Sequence, residues 1–202
     1  RRAIIGSVIG GLSVRGWLSQ PDPNRQPPMT ASQLHHHLGH DPPEDASSIF
    51  DSYASDAIVT RHLGWRPHEA LRDTKSFVES AAREWETGRG FPLVVFTRTG
   101  PDDLIGMFHP HVRPGRVNYG YVLARHAWGN GCATEILTWL VDHALAHPAI
   151  FRAEAFCDVD NLASARVMQK AGMTKEGVLR RYFVHPNVSE HPRDCVMYAR
   201  VR

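Results

Sequence analysis

A chain of 202 residues carrying 23 Lys and Arg against 21 Asp and Glu is close to neutral, with a formal net charge of +2. Its 42% hydrophobic and 9% aromatic content is enough for a core of its own, which excludes wholesale disorder and a disulfide-held miniprotein. The length accommodates one medium domain, or one domain and a tail, but no second enzyme-sized domain.

Arg supplies 20 of the cationic residues and Lys only 3, scattered among the acids, so the basic stripe of a dedicated nucleic-acid binder is missing. Cys132, Cys157 and Cys195 are widely spaced and lack any CxxC or Cys/His ligand pattern, which fits a reducing compartment and no structural zinc. No apolar run of about eighteen residues marks a membrane span. Together these features predict a cytoplasmic protein with neither nucleic acid nor membrane as partner. Arg1 and Arg2, followed by the apolar stretch Ala3 to Leu12, imitate an export signal, but Arg15 interrupts it and no small-x-small cleavage site follows.

Along the chain, residues 19–28 hold four prolines, which remove backbone donors and fix φ, so this stretch reads as a linker. Residues 1–28 are therefore expected to form a tail, and the domain to run over 29–202 from Met29. Helical spacing predicts a short helix at 44–54 and a longer one at 67–87, stopped by Gly88 and Gly90. Two strands follow, at 92–98 and 103–108, then a third at 117–123. The strongest helix spans 129–147: Ile136, Leu137, Leu140, Val141, Ala144 and Leu145 form one apolar stripe before Pro148. A strand at 151–157, a helix at 161–171 closed by Gly172, and strands at 174–184 and 194–200 complete the pattern. Helices and strands alternate without repeats, so the fold class is α/β or α+β with a mixed sheet. His35, His36 and His37, with His40, alternate faces if extended and have no carboxylate at ligand spacing, so no metal site is expected there or elsewhere. That segment should make at most a short, altered first strand.

Two stretches carry chemistry. In the first, Tyr119-Gly120-Tyr121-Val122-Leu123 runs into Trp128-Gly129-Asn130-Gly131-Cys132-Ala133-Thr134-Glu135, a strand entering a glycine turn that opens a helix. Glycines let a ligand approach the backbone, and the N–H groups of the helix start point outward, which makes a phosphate cradle. It is neither a Walker loop nor a dinucleotide fingerprint, since the Lys-Ser/Thr pair and the third glycine are missing. A ligand-free glycine connection is the plain alternative. In the second stretch, Asn161 opens a helix and Ser164 lies one turn on, in Asp160-Asn161-Leu162-Ala163-Ser164 through Lys170-Ala171-Gly172-Met173. A helix N-cap is the structural alternative for Asn161, and an uninvolved helix position that for Ser164.

These segments, together with Glu176-Gly177, resemble the GNAT superfamily of N-acetyltransferases over residues 48–202, and in particular its RimJ/RimL-type branch, which acetylates N-terminal amines of ribosomal proteins. The resemblance implies a mixed twisted sheet whose central strand pair splays at a bulge. Val122 and Leu123 would pair with the pantetheine arm of acetyl-CoA there. The turn from Trp128 through Gly129, Asn130, Gly131, Cys132, Ala133 and Thr134 would hold the pyrophosphate; Asn161 would bond the thioester region; Ser164 would lie near the sulfur as an acid for the departing thiolate. Acetyl-CoA is thus the implied co-substrate, with an amine acceptor as the other partner and a homodimer compatible with the family.

The sequence departs from the family at three positions. Met168 stands where many members have an acidic tyrosine, Asn118 where an acidic residue is common, and His126 where the turn usually begins with Arg or Gln. Asn118 is thereby the catalytic candidate beside Ser164, while His109, His111, Glu135 and His185 are alternative bases. Glu135 also reads as a helix-dipole residue, and Tyr182 as either a cleft or a core residue. Trp65, Trp85, Tyr182, Phe183 and His185 are expected to line an acceptor groove. The functional expectation is acetyl transfer to a primary amine, foremost a protein N-terminus; small amines such as antibiotics or polyamines, and a non-catalytic coenzyme A binding module, are the alternatives.

Overall fold

The computed structural model describes residues 8–9, 12–13, 34–37, 42–88, 90–97 and 103–202. The predicted linker at 19–28 and the domain start at Met29 lie outside them, as does His40. Seven strands form one mixed sheet: β1 (Leu34–His37), β2 (Leu93–Thr97), β3 (Leu104–Arg113), β4 (Gly115–Leu123), β5 (Ile150–Asp158), β6 (Thr174–Phe183) and β7 (Arg193–Val201). Their order is β1-β2-β3-β4-β5-β7-β6, and β4 with β5 is the one parallel pair among them. Val8–Ile9 and Leu12–Ser13 pair in a separate short ladder. The histidine segment does form a first strand, four residues long, against β2.

Helices cover both faces. On one side α1 (Pro42–Ile49) and α2 (Leu71–Thr87) bury Ala46, Ile49 and Val78 against Val94, Phe96, Met107 and Val122. On the other, α3 (Cys132–Ala146) and α4 (Leu162–Lys170) bury Ile136, Leu140, Ala144 and Met168 against Val117, Tyr119, Ala153 and Ala155. Odd-numbered residues of β4 thus face α3 and α4 while Val122 faces the other layer, as the period-two pleat requires. The predicted apolar stripe of α3 is buried in the second of these cores. Tyr119 fixes the helix to the sheet: its hydroxyl donates to the Leu140 carbonyl at 2.9 Å with the ring 2% exposed. Tyr119→Phe is expected to cost about 1 kcal/mol in urea unfolding, the usual net worth of one such bond.

Among the element boundaries that differ from expectation, three bear on the fold. The second helix starts at Leu71 rather than 67, because Ala70 is extended and the Asp73 carboxylate accepts from the amides of Glu69 and Ala70. The first helix starts earlier, at Pro42, and passes into a wider π-turn over Phe50–Ala54. Most consequentially, β3 continues through Pro110 to Arg113, where a break after residue 108 was expected. Proline is tolerated because β2 pairs with β3 only as far as Leu93 opposite Phe108; beyond that point Pro110 offers its carbonyl to the Phe91 amide. Pro114 and Gly115 then turn the chain into β4, with Gly115 at φ 78° as a type II turn demands.

Candidate active site

The parallel pairing of β4 with β5 runs from Gly115 opposite Ile150 to Asn118 opposite Glu154, and ends there. Past that point β4 stays with β3, and β5 stays with β7 down to Asp158. A gap therefore opens between 119–123 and 155–158. Which groups face it follows from parity. The Ala124 amide donates to the Ile105 carbonyl at 2.9 Å, so Val122, two residues back, also turns its main chain to β3. The amides and carbonyls facing the gap are those of Tyr121 and Leu123. The main chain of Leu123 thus borders the gap, whereas that of Val122, expected beside it, pairs with β3, and Tyr121 borders the gap instead.

Trp128 closes the upper edge of the gap. Its indole Nε1 donates to the Leu123 carbonyl at 2.8 Å, so its ring holds the glycine turn to the strand end while remaining 47% exposed. Gly129 and Gly131 have φ of 79° and 81°, and a side chain on either would meet nothing within 4 Å. Gly131 is the N-cap of α3, so the amides of Cys132, Ala133 and Thr134 have no acceptor within the helix and point into that open space. Asn130 donates from Nδ2 to the His126 carbonyl at 3.4 Å, and the His126 ring lies 3.1 Å from the Asp103 carboxylate.

Across the gap, Asn161 caps α4: its Oδ1 accepts from the Ser164 amide at 3.1 Å, so the structural alternative holds for its oxygen. The loop before it is anchored by Asp158, which is 1% exposed and accepts from Arg193 Nε at 2.5 Å, Arg193 Nη2 at 3.1 Å and the Asp160 amide at 2.9 Å. Burial acts to raise the Asp158 pKa, but the guanidinium and the amide outweigh it and hold the carboxyl below its usual range. A depressed carboxylate stabilises the fold above its unfolded pKa of about 3.9 and loses that contribution as pH falls through the lower, native value. Urea unfolding is therefore expected to show stability dropping below about pH 4, with Asp158→Asn flattening that dependence.

Ser164 is half-buried and not idle. Its Oγ lies 2.6 Å from the Tyr121 hydroxyl, which also donates to the Ser164 carbonyl at 3.3 Å. Burial raises the Tyr121 pKa far above its ordinary value, with the Ser164 bond opposing, so the ring stays a phenol. Beside it, burial pushes the Cys157 thiol up to about 11, helped by Cys195 and Asp158 and opposed by a bond to Ser164. A thiol so protonated makes a poor nucleophile. The tyrosine was visible within a singled-out motif, but nothing in the sequence tied it to Ser164, which is 43 residues away.

On the α1–α2 side, Asn118 lines a cavity of about 250 Å³ with His111, Arg113, Arg116, Glu154, Phe156 and Tyr182. Glu154 is the carboxylate that sequence reading missed; it lies directly opposite Asn118, 8% exposed, and accepts from Arg152 Nε at 2.5 Å. Its signal was an acid set between Ala153 and Ala155 in a mostly apolar strand. Tyr182 reaches this cavity, edge-on to Phe156 at 5.0 Å. The other expected groove residues do not line it. Trp65 stacks on His68, Trp85 packs edge-on to Phe91 and donates to the Pro92 carbonyl, and Phe183 packs between Phe156 and His185. His185 is 3% exposed beside Asp158 and Cys195, and burial lowers its pKa, so it is a core residue rather than a base in the cleft. Glu135 is exposed in the first turn of α3, where its charge suits the helix N-terminus. No helix among the described residues is long and apolar enough to cross a membrane.

The gap between β4 and β5 is thus bordered by the glycine turn that opens α3 and by the capped start of α4. The family profile of the acetyltransferase (GNAT) domain matches residues 40–174. The chain belongs to that family and is an acyltransferase. It is 30% identical over 162 residues to the uncharacterized N-acetyltransferase YoaA of Bacillus subtilis (strain 168), covering 79% of this chain and 89% of YoaA. Among solved structures it is similar to RimL, the ribosomal L7/L12 alpha-N-protein acetyltransferase in complex with coenzyme A, with a TM-score of 0.73 at 20% identity over 86% of this chain and 96% of that one. The microcin C7 self immunity acetyltransferase MccE, in complex with acetyl-CoA and AMP, superposes with a TM-score of 0.74 at 20% identity over 84% and 93% of the two chains.

Proposed function

We propose that the protein transfers the acetyl group of acetyl-CoA to a primary amine, and that its acceptor is a protein N-terminus. The observation that carries this reading is the parting of β4 and β5 immediately after the Asn118–Glu154 pair, beside the open glycine turn. An extended pantetheine arm fits such a gap as a missing strand, bonded by the main chain of Tyr121 and Leu123. The amides from Gly129 to Thr134 hold the pyrophosphate, and Asn161 Nδ2 is the donor left for the thioester region once its oxygen caps α4.

Acetyl-CoA supplies an activated carbonyl to which the amine nitrogen bonds as the carbon–sulfur bond breaks. Ser164 then gives its hydroxyl proton to the departing thiolate, and the Tyr121 phenol, 2.6 Å away, passes a proton to it and regains one from solvent, so both hydroxyls end the cycle protonated. Asn118 orients the amine from the cavity wall through its side-chain oxygen, and the surplus ammonium proton leaves to water in the open cavity. With Cys157 kept as a thiol, direct transfer rather than an acyl-enzyme is the route. Ser164→Ala is expected to lower kcat about tenfold to a hundredfold with little change in the KM for acetyl-CoA, and Tyr121→Phe to lower it less. Equal kcat values for wild type and Ser164→Ala would remove the serine from the mechanism.

For the acceptor, the cavity presents His111, Arg113 and Arg116 against the single carboxylate of Glu154, itself engaged by Arg152. Such a wall repels a polyamine and suits a peptide with one amine and acidic residues following it. RimL, an alpha-N-protein acetyltransferase, is of the same fold and supports that choice. The test is thiol release from acetyl-CoA with peptides bearing a free N-terminus, the same peptides blocked at the N-terminus but containing lysine, and spermidine. Release with the free N-termini alone is expected. Release with spermidine alone would overturn the acceptor, and acetyl-CoA binding with no turnover on any amine would make the protein a coenzyme-binding module.

A further inference from the structure

Beside the acceptor cavity lies a cluster that the acetyl-transfer reading leaves unused. His109 and His111 project from the same face of β3, two residues apart, and Glu84 approaches them from the last turns of α2. Glu84 Oε2 is 3.1 Å from His109 Nε2 and 3.7 Å from His111 Nδ1, and all three donor atoms lie within 4.8 Å of one another. The two rings stack at 3.9 Å between centroids.

The geometry points to a divalent zinc-class metal site made by Glu84, His109 and His111, a binding site additional to the proposed acetyl-CoA and amine sites. Ligands about 2.0–2.1 Å from a tetrahedral zinc are about 3.3–3.4 Å from each other, and the two observed separations bracket that value. Two imidazoles and one carboxylate are also the donor set of open, three-ligand zinc sites, whose fourth position holds water or substrate. Gly90 keeps the space between the donors clear: a side-chain carbon there would press on Glu84 Oε2, on His109 Nε2 at 2.5 Å and on His111 Nδ1 at 3.2 Å.

Without an ion, His109 donates from Nε2 to Glu84. Binding moves that proton to Nδ1 of the same ring and puts the cation in its place. His111 belongs both to this cluster and to the cavity wall, so the fourth position opens toward the acceptor side.

The full chain, stripped with a chelator and free of acetyl-CoA, tests the site by titration with Co²⁺, read by its visible ligand-field absorption, and with Zn²⁺, read by calorimetry. One equivalent per chain and the intense absorption of four-coordinate Co²⁺ are expected. Glu84→Gln and His111→Gln, on different elements and each checked for a wild-type unfolding transition, are each expected to weaken binding by at least about tenfold. A variant with His35, His36 and His37 all changed to Ala should bind as the wild type does. Absence of Co²⁺ absorption and of binding heat in the wild type, or affinity unchanged in both Glu84→Gln and His111→Gln, overturns the assignment. Because no acyl donor or amine is present, this result stands apart from the success or failure of the acetyl-transfer assay.

Discussion

Acetyl-CoA is expected to raise the unfolding temperature of the wild-type protein, and Gly131→Glu to abolish that rise. At a hundredfold excess over Kd the ligand contributes about 2.7 kcal/mol, which for a chain of this size corresponds to about 5–10 °C. Gly131 sits at φ 81° as the N-cap of α3, with open space where a side chain would project. Glutamate placed there puts a carboxylate against the pyrophosphate and forces an L-residue into a left-handed conformation, at about 1–2 kcal/mol. Gly131→Asn separates the two effects, since asparagine tolerates this backbone and carries no charge. It should keep most of the thermal shift. A full shift in Gly131→Glu would place the pyrophosphate elsewhere.

The second large effect is structural. Gly106 lies on β3 where it crosses β4, and a side-chain carbon there would sit well inside van der Waals contact of the Val122 carbonyl oxygen and at 3.0 Å from Leu123 Cα. Both obstacles are backbone, so neither can rotate away. Gly106→Ala is expected to cost about 3 kcal/mol, at the upper end of overpacking penalties, and to lower the unfolding temperature by about 6–12 °C. It should also weaken acetyl-CoA binding, because relief of the clash pushes the Leu123 end of β4 toward the gap. Thermal unfolding with and without the coenzyme reads both effects, and a variant as stable as wild type would show that the crossing accommodates a methyl group.

Much of this architecture was legible because local pattern and tertiary environment agree. The stripe on α3, the glycine turn before it and the N-cap alternative at Asn161 each follow from residues within one or two turns, and each is found as local structure. Where the sequence misled, the deciding partner was distant. Pro110 looks like a strand breaker until β2 is seen to end opposite Phe108. His185 looks like a cleft base until Asp158 and Cys195 are found packed on it. Val122 and Leu123 are adjacent in the motif, yet which of them faces the gap depends on a parity fixed by the Ala124–Ile105 bond across the sheet. Glu84, His109 and His111 meet only because α2 and β3 are brought together, with 25 residues separating the first two.

The four-residue register between β4 and β5 has a mechanical consequence. Everything from β1 to β4 is stitched by successive antiparallel pairings, and so are β5, β7 and β6; the ladder from Gly115 to Asn118 is the seam between these halves. Each half brings part of the proposed site to that seam, the first with Tyr121 and the glycine turn, the second with Asn161 and Ser164. A pantetheine arm bonded along the open stretch would extend the ladder toward Leu123 and act as a rivet. Coenzyme occupancy should then be felt far from the thioester, as slower amide exchange on both sides of the seam at once.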